Sequence, residues 1–279
     1  VAYLVYLVRQ KGIAHLVGAL ALLAGFLAHA AVIVSRYQAM VITPVSSIAD
    51  GLSFMAWLMV GTYLVLDRVY RLPAIGAFVT PLALTVTVSA LLVPPGPLEG
   101  TPLGLGLPGI AAHVVIAFLG MAFFALAAGV AVMYLMQERQ MKGKKFGFMF
   151  SRLPSLDVLD EINRRLVLWG FVLLSVTIVS GAYFAKMRWG SYWSWDPKET
   201  FSLVAWGVYA SLIAARLQVG WRGRRVALLT AVGFGILITS FVGLMAFPSG
   251  QHHGAPVGRA RTVTPPSSAA AEQVRSAHG

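Results

Sequence analysis

The residues best suited to chemistry lie between positions 189 and 200, where the chain reads Trp-Gly-Ser-Tyr-Trp-Ser-Trp-Asp-Pro-Lys-Glu-Thr. Three of the seven tryptophans, Trp189, Trp193 and Trp195, fall within these twelve residues, and Trp206 follows in the next helix. An aromatic belt at the lipid interface accounts for an isolated tryptophan. It does not account for this density, nor for the Gly, Asp, Pro, Lys and Glu set among the rings. A flat hydrophobic cofactor accounts for both. Aromatic rings pack on a planar ligand offset or edge-on, and Lys198 or Arg188 can pair with a carboxylate of that ligand. The same stretch reads as a helix start. Asp196 can cap it, Pro197 suits the first helical position, and Glu199 complements the positive end of the helix dipole. That reading makes Asp196 and Glu199 structural rather than acid–base residues.

Histidines supply the second half of such a site, because neutral imidazole is a common axial ligand of haem iron. The chain has six histidines and no cysteine, so disulfides, thiolate metal sites and a thiolate haem ligand are excluded. His113 opens one apolar run at its outer end, and His252 and His253 follow the last run on the same side. His29 lies inside a span, where an ionisable residue is a functional hypothesis by default. The bland alternative for His29 is a neutral ring hydrogen-bonded to a neighbouring helix. For His113 and His252 it is a solvated helix end. His15 and His278 are expected to have no functional role.

The elements that must position these residues are membrane spans. Of 279 residues, 58% are hydrophobic and 11% charged, and the mean hydropathy is +0.75. A soluble domain carries about 25% charged residues. Apolar runs long enough to cross a bilayer predict an all-α, polytopic bundle of about eight spans, the first partial. They are Val1–Val8, then roughly Ala14–Ser35, Leu52–Leu66, Ala74–Val93, Gly109–Met136, Leu166–Ala185, Phe201–Leu217 and Val226–Phe247. The two short runs, 52–66 and 201–217, are expected to extend into their flanks. The start at Val1 rather than Met is read as a partial N-terminus. The basic residues of the 9–13, 67–73, 137–165 and 216–225 connections number 15 of the 22, against 7 on the other side. Positive charge stays inside, so the N-terminus and the tryptophan loop are expected outside. Residues 94–108, rich in Pro and Gly, form an irregular outer segment. Residues 155–163 are expected as a short interfacial helix, and 255–279 as a flexible tail after a membrane domain of residues 1–254.

Several function classes fall away. The net charge of +12 is spread over the connections between spans, not gathered into the footprint that nucleic acid requires. No nucleotide-binding, P-loop or HExxH motif is present, and no nucleophile or metal-hydrolase motif. A small-solute transporter would carry charges or broken helices at mid-membrane, and the spans offer little beyond His29.

The sequence Trp189–Thr200 closely resembles the WWD motif of the cytochrome c assembly family, in its CcsA/ResC branch, with a WWD loop over 187–200. The likeness continues in Leu173–Ala182, in the Gly-Trp-Arg-Gly-Arg turn at 220–224, in Gly233-Phe234 and in Thr43–Trp57. The resemblance implies transport of haem b, bound transiently as cargo, and its presentation to apocytochrome c on the outer face. It implies a ResB-like membrane partner and a bacterial cytoplasmic membrane. The chain would then be at most the haem-presenting subunit of a cytochrome c synthase. The family holds its outer haem between two histidines flanking the loop, which by position are His113 and His252, with His253 an alternative to the latter. Trp189, Trp193, Trp195, Asp196, Lys198 and Trp206 would surround it. His29 matches one of two membrane-embedded histidines on an inner haem path. Ala214 stands where the second would fall. A HemX-like regulator of tetrapyrrole synthesis is the alternative within the same resemblance.

Overall fold

The computed structural model describes residues 3, 12–40, 47–70, 73–93, 109–143, 153–195 and 197–246. Among them are seven α-helices: α1 Gly12–Met40, α2 Ile48–Tyr70, α3 Pro73–Leu92, α4 Ile110–Lys142, α5 Leu156–Trp189, α6 Pro197–Gln218 and α7 Arg224–Ala246. The first six are long and apolar enough to cross a membrane. This all-α architecture is that of an integral membrane protein, since in hydrocarbon only a helix or a closed barrel satisfies every backbone polar group. The outer faces agree. Leu16, Leu20 and Leu27 of α1 and Val172 and Val179 of α5 are exposed, as lipid-facing side chains should be. The predicted span 1–8, apart from Tyr3, lies outside the described residues, as do the 94–108 loop and the 255–279 tail.

Both short runs extend as expected, to Ile48–Tyr70 and Pro197–Gln218. The expected interfacial helix over 155–163 is corrected. Its residues form the first turns of α5, continuous to Trp189. At 1.5 Å per residue a helix of 34 residues runs about 50 Å, well beyond the ~30 Å hydrocarbon core. Two of the polar residues that made this stretch look interfacial are turned inward. Asp160 accepts hydrogen bonds from Arg216 (2.8 Å) and from the Gly223 backbone N–H (3.2 Å). Asn163 is buried, donates to the Ala127 carbonyl (3.0 Å), and accepts from Thr230 (3.3 Å). The start of α5 is therefore held by α4, α6 and α7 rather than by the lipid surface.

Small residues set the closest contact. At Gly120 of α4 an added Cβ would lie 3.2 Å from Leu173 Cβ and 3.6 Å from the Leu174 nitrogen of α5. At Gly170 of α5 it would lie 2.9 Å from the Phe124 ring of α4. That ring stacks on Tyr209 of α6 with centroids 3.9 Å apart. Ala122, Ala125, Ala127 and Ala131 are buried on α4, which lets neighbouring helices approach closely without a hydrophobic driving force from the solvent. On the other side, Trp57 of α2 donates to the Phe26 carbonyl of α1 (3.1 Å) and stacks on its ring. Phe54 of α2 meets Phe118 of α4 edge-on.

Gly120→Leu is predicted to force α4 and α5 apart, with an overpacking cost of about 1–3 kcal/mol. The measurement is the unfolding midpoint in mild detergent. An unchanged midpoint would show that the two helices do not need this approach.

Candidate functional site

His113 sits in the first turn of α4, its N–H bonded to the Gly109 carbonyl (3.0 Å). Opposite it α5 presents Ser180, Gly181 and Phe184. Ser180 Oγ lies 2.7 Å from His113 Nδ1 and donates its own proton to the Val176 carbonyl (2.6 Å). With that proton engaged, the hydroxyl oxygen accepts from Nδ1–H. A neutral imidazole protonated at Nδ1 carries its lone pair on Nε2, the form in which histidine ligates a metal. The ring is then fixed by two neighbours. A Cβ on Gly181 would lie 3.3 Å from His113 Cε1, and Phe184 packs against the imidazole edge-on at 5.7 Å. His113 is half-buried. Such hydrogen-bond support of a ligating histidine fixes its tautomer and orientation and raises its basicity.

The same end of α5 leads into the tryptophan loop. Nine residues separate Ser180 from Trp189, about 13 Å along the axis. The helix stops at Gly190, which adopts φ +77° and donates to the Lys186 carbonyl (3.0 Å), a conformation that favours glycine. Lys186 Nζ donates back to the Gly190 carbonyl (2.7 Å) and lies 5.2 Å from the centre of the Tyr192 ring. Ser191 Oγ donates to the Trp193 carbonyl (2.8 Å). Glu199, third residue of α6, reaches back to accept from the backbone N–H and hydroxyl of Ser194 (2.8 and 3.1 Å). Its role is the helix-start role expected of it, in the manner of a capping box. These ties hold Trp195 at φ +58°, a left-handed conformation that costs roughly 1–3 kcal/mol for a residue other than glycine. Trp195 is consequently turned out, 72% exposed, with its ring edge-on to the half-buried Trp193 at 6.0 Å. Trp189 and Tyr192 are exposed beside them. The buried Trp193 Nε1 has no acceptor among the described residues.

This arrangement suits a planar, carboxylate-bearing ligand. It offers exposed aromatic faces, one N–H donor without an acceptor, and a histidine with its lone pair on Nε2.

Other expected residues lie elsewhere. Trp206 donates to Ser175 Oγ (2.9 Å) and packs on Phe171. Ser175 lies about 140° around α5 from Ser180, so Trp206 anchors α6 to α5 on a different face from His113. His29 belongs to the α1–α2 pair, with Nε2 2.7 Å from Ser53 Oγ. That is the interhelical hydrogen bond of the bland alternative. Ala214 is exposed on α6. The side chains of Arg188 and Lys198, and residues Asp196, His252 and His253, lie outside the described residues. Sequence reasoning missed Ser180, Gly181 and Phe184. The available signal was a Ser-Gly pair in an otherwise apolar run, two to three turns before the loop.

Glu199→Ala is predicted to release Ser194 and let Trp195 leave its left-handed conformation. Hydrogen exchange at residues 191–195 should then rise at least several-fold, while the α4–α5 helices exchange as before. Unaltered exchange in the loop would show that Glu199 does not hold it.

Comparison with known proteins fits this geometry. Residues 13–250 match the Cytochrome C assembly protein family. The chain is 32% identical over 233 residues to the cytochrome c biogenesis protein CcsA of Synechococcus sp. (strain CC9902), covering 75% of this chain and 77% of that relative. It is 31% identical over 233 residues to the CcsA of Parasynechococcus marenigrum (strain WH8102), covering 75% and 76%. With the CcsA of Synechococcus sp. (strain JA-3-3Ab) the identity is 29% over 302 residues, covering 89% and 86%. Long apolar helices, a tryptophan loop between α5 and α6, and this extent of likeness lead to one assignment: the chain belongs to the cytochrome c assembly protein family, in its CcsA branch.

Proposed function

We propose that this protein binds haem beside the WWD loop and presents it for covalent attachment to apocytochrome c. Membership of the CcsA branch supports a role in cytochrome c biogenesis. The observation that carries the finer reading is the contact of His113 Nδ1 with Ser180 Oγ, whose own proton goes to the Val176 carbonyl, so that Nδ1–H donates and the lone pair stays on Nε2. Haem b is the cargo, not a resident catalyst. His113 binds its iron on one side, and His252, or His253 beside it, binds on the other. Trp189, Trp193 and Trp195 wall the ring. Lys198 and the Trp193 N–H serve the propionates, and Asp196 starts the helix that fixes the loop. Trp206 acts at one remove by fastening α6 to α5.

The chain contributes binding, orientation and electrostatics, in the usual division of labour with a cofactor. It has no cysteine, and the thiols come from the Cys-x-x-Cys-His segment of the apocytochrome. His29, oriented by Ser53, is the candidate ligand for haem inside the bilayer. A ResB-like membrane protein is the partner. The membrane is the bacterial cytoplasmic membrane, with the loop on its outer side, in keeping with the basic residues gathered on the opposite connections.

The test is the oxidised and reduced absorbance spectrum of protein purified in mild detergent. Wild type should show low-spin, bis-imidazole haem. Combined His113→Ala and His252→Ala should lose it, and Ser180→Ala should weaken haem retention about 10- to 100-fold, as removal of such supporting partners does elsewhere. Haem bound equally by the double variant would overturn the reading.

A further inference from the structure

A second polar cluster lies at the opposite end of the first three helices, away from the tryptophan loop. His15 near the start of α1 and Asp67 near the end of α2 meet with Nε2 2.8 Å from Oδ2. Asp67 is only 8% exposed, whereas His15 is 31% exposed. The other carboxylate oxygen, Oδ1, is buried and has no hydrogen-bond partner. Beside it are two buried phenols. Tyr63 of α2 and Tyr3 cross edge-on at 5.7 Å, and the Tyr3 ring lies 6.1 Å from that of His15. Neither phenol oxygen makes a hydrogen bond of good geometry. Room for both rings comes from α3. A Cβ on Gly76 would fall against the Tyr63 hydroxyl and 2.7 Å from the Tyr3 ring.

Three buried oxygens without good partners in one cluster ask for a physical reason, because each such group is left with its desolvation penalty. A charged carboxylate in this setting costs more unless it is paired. One water molecule with two to four polar partners removes the penalty. That water would donate to Asp67 Oδ1 and bond the phenols. Asp67 is then linked on one side to water and on the other to an imidazole that reaches the surface. Ionisable residues paired in this way inside spans mark proton pathways.

We infer that His15, Asp67, Tyr63 and Tyr3, completed by a bound water, form a proton-binding site at the inner end of α1–α3. His15 passes a proton from the inner aqueous phase to Asp67, whose carboxylate becomes a neutral acid, and the reverse transfer releases it. The only species exchanged is the proton. Around Gly76, α3 brings the apolar Ala74, Ile75 and Ala77. Arg68 is exposed. At the inner end of α4, Glu138 is paired with Lys142 at 2.6 Å. The inference is independent of where haem binds.

The test is infrared difference spectroscopy of the full chain in lipid nanodiscs, stepped between acid and alkaline buffer, in H2O and D2O. The expected result is a carboxylic-acid C=O band that appears on acidification and shifts in D2O. One component of it should be lost in Asp67→Asn and move in Tyr63→Phe and in His15→Gln, each a near-isosteric change with the helical amide bands retained, while the components of the other carboxylates stay. A wild-type band that Asp67→Asn leaves unchanged would overturn the proposal. A band that ignores both Tyr63→Phe and His15→Gln would overturn the shared site.

Discussion

Where Gly120 of α4 meets Leu173, Leu174 and Gly170 of α5, two helix backbones lie almost in contact. In a lipid environment such close packing, together with hydrogen bonds between helices, holds the bundle, because the surrounding tails are as apolar as the side chains. This approach sets the register of α4 on α5, and the register carries His113 to Ser180 about two turns further along. The continuity of α5 carries that alignment on to Gly190, where the helix stops and the tryptophans begin. A rigid helix thus spaces His113 from the tryptophans, while the loop needs only short-range bonds to keep its shape.

Polar side chains follow the same logic. Several of those buried between helices fix a pair. Trp57 bonds the Phe26 carbonyl, Asn163 the Ala127 carbonyl, and Trp206 the Ser175 hydroxyl. Arg216 and Asp160 lock the inner turn between α6 and α7 onto α5. These groups would be expensive if unpaired, so their partners specify one arrangement of helices. The exceptions are informative. Among the described residues seven buried side-chain atoms lack partners, and two of them, Trp193 Nε1 and Asp67 Oδ1, belong to the tryptophan loop and to the His15 cluster. Both are places where a further molecule can act.

Much of this was legible in the sequence, and the reason is physical. Long apolar runs have few alternatives to a membrane helix, so six of the expected spans, from 14–35 to 201–217, and the flanking extensions of α2 and α6 were recovered. The tryptophan loop stood out because its composition suits neither lipid nor a simple turn, and the helix-start role of Glu199 follows from local chemistry alone. Other features depend on tertiary contact. Residues 155–163 carry the charge of an interfacial helix, yet Asp160 and Asn163 have partners on three other helices. Trp206 belongs by sequence with the loop, but it turns to the α5 face that bears Ser175. Ser180 looked like a minor polar break in an apolar segment until α4 brought His113 to it. The His15–Asp67 pair spans 52 positions, and no local pattern reports it.

The most direct test of the account replaces His113 with cysteine in the full chain, which has no other thiol. The haem-loaded protein is then examined in the ferric state by electron paramagnetic resonance. If His113 ligates the iron, the bis-imidazole signal should give way to a low-spin signal of mixed imidazole–thiolate ligation, since the axial ligand governs the electronic state of the iron. A bis-imidazole signal identical to that of the wild type would contradict the account. It would show that haem is held by other histidines and that the Ser180–His113 bond serves the fold alone.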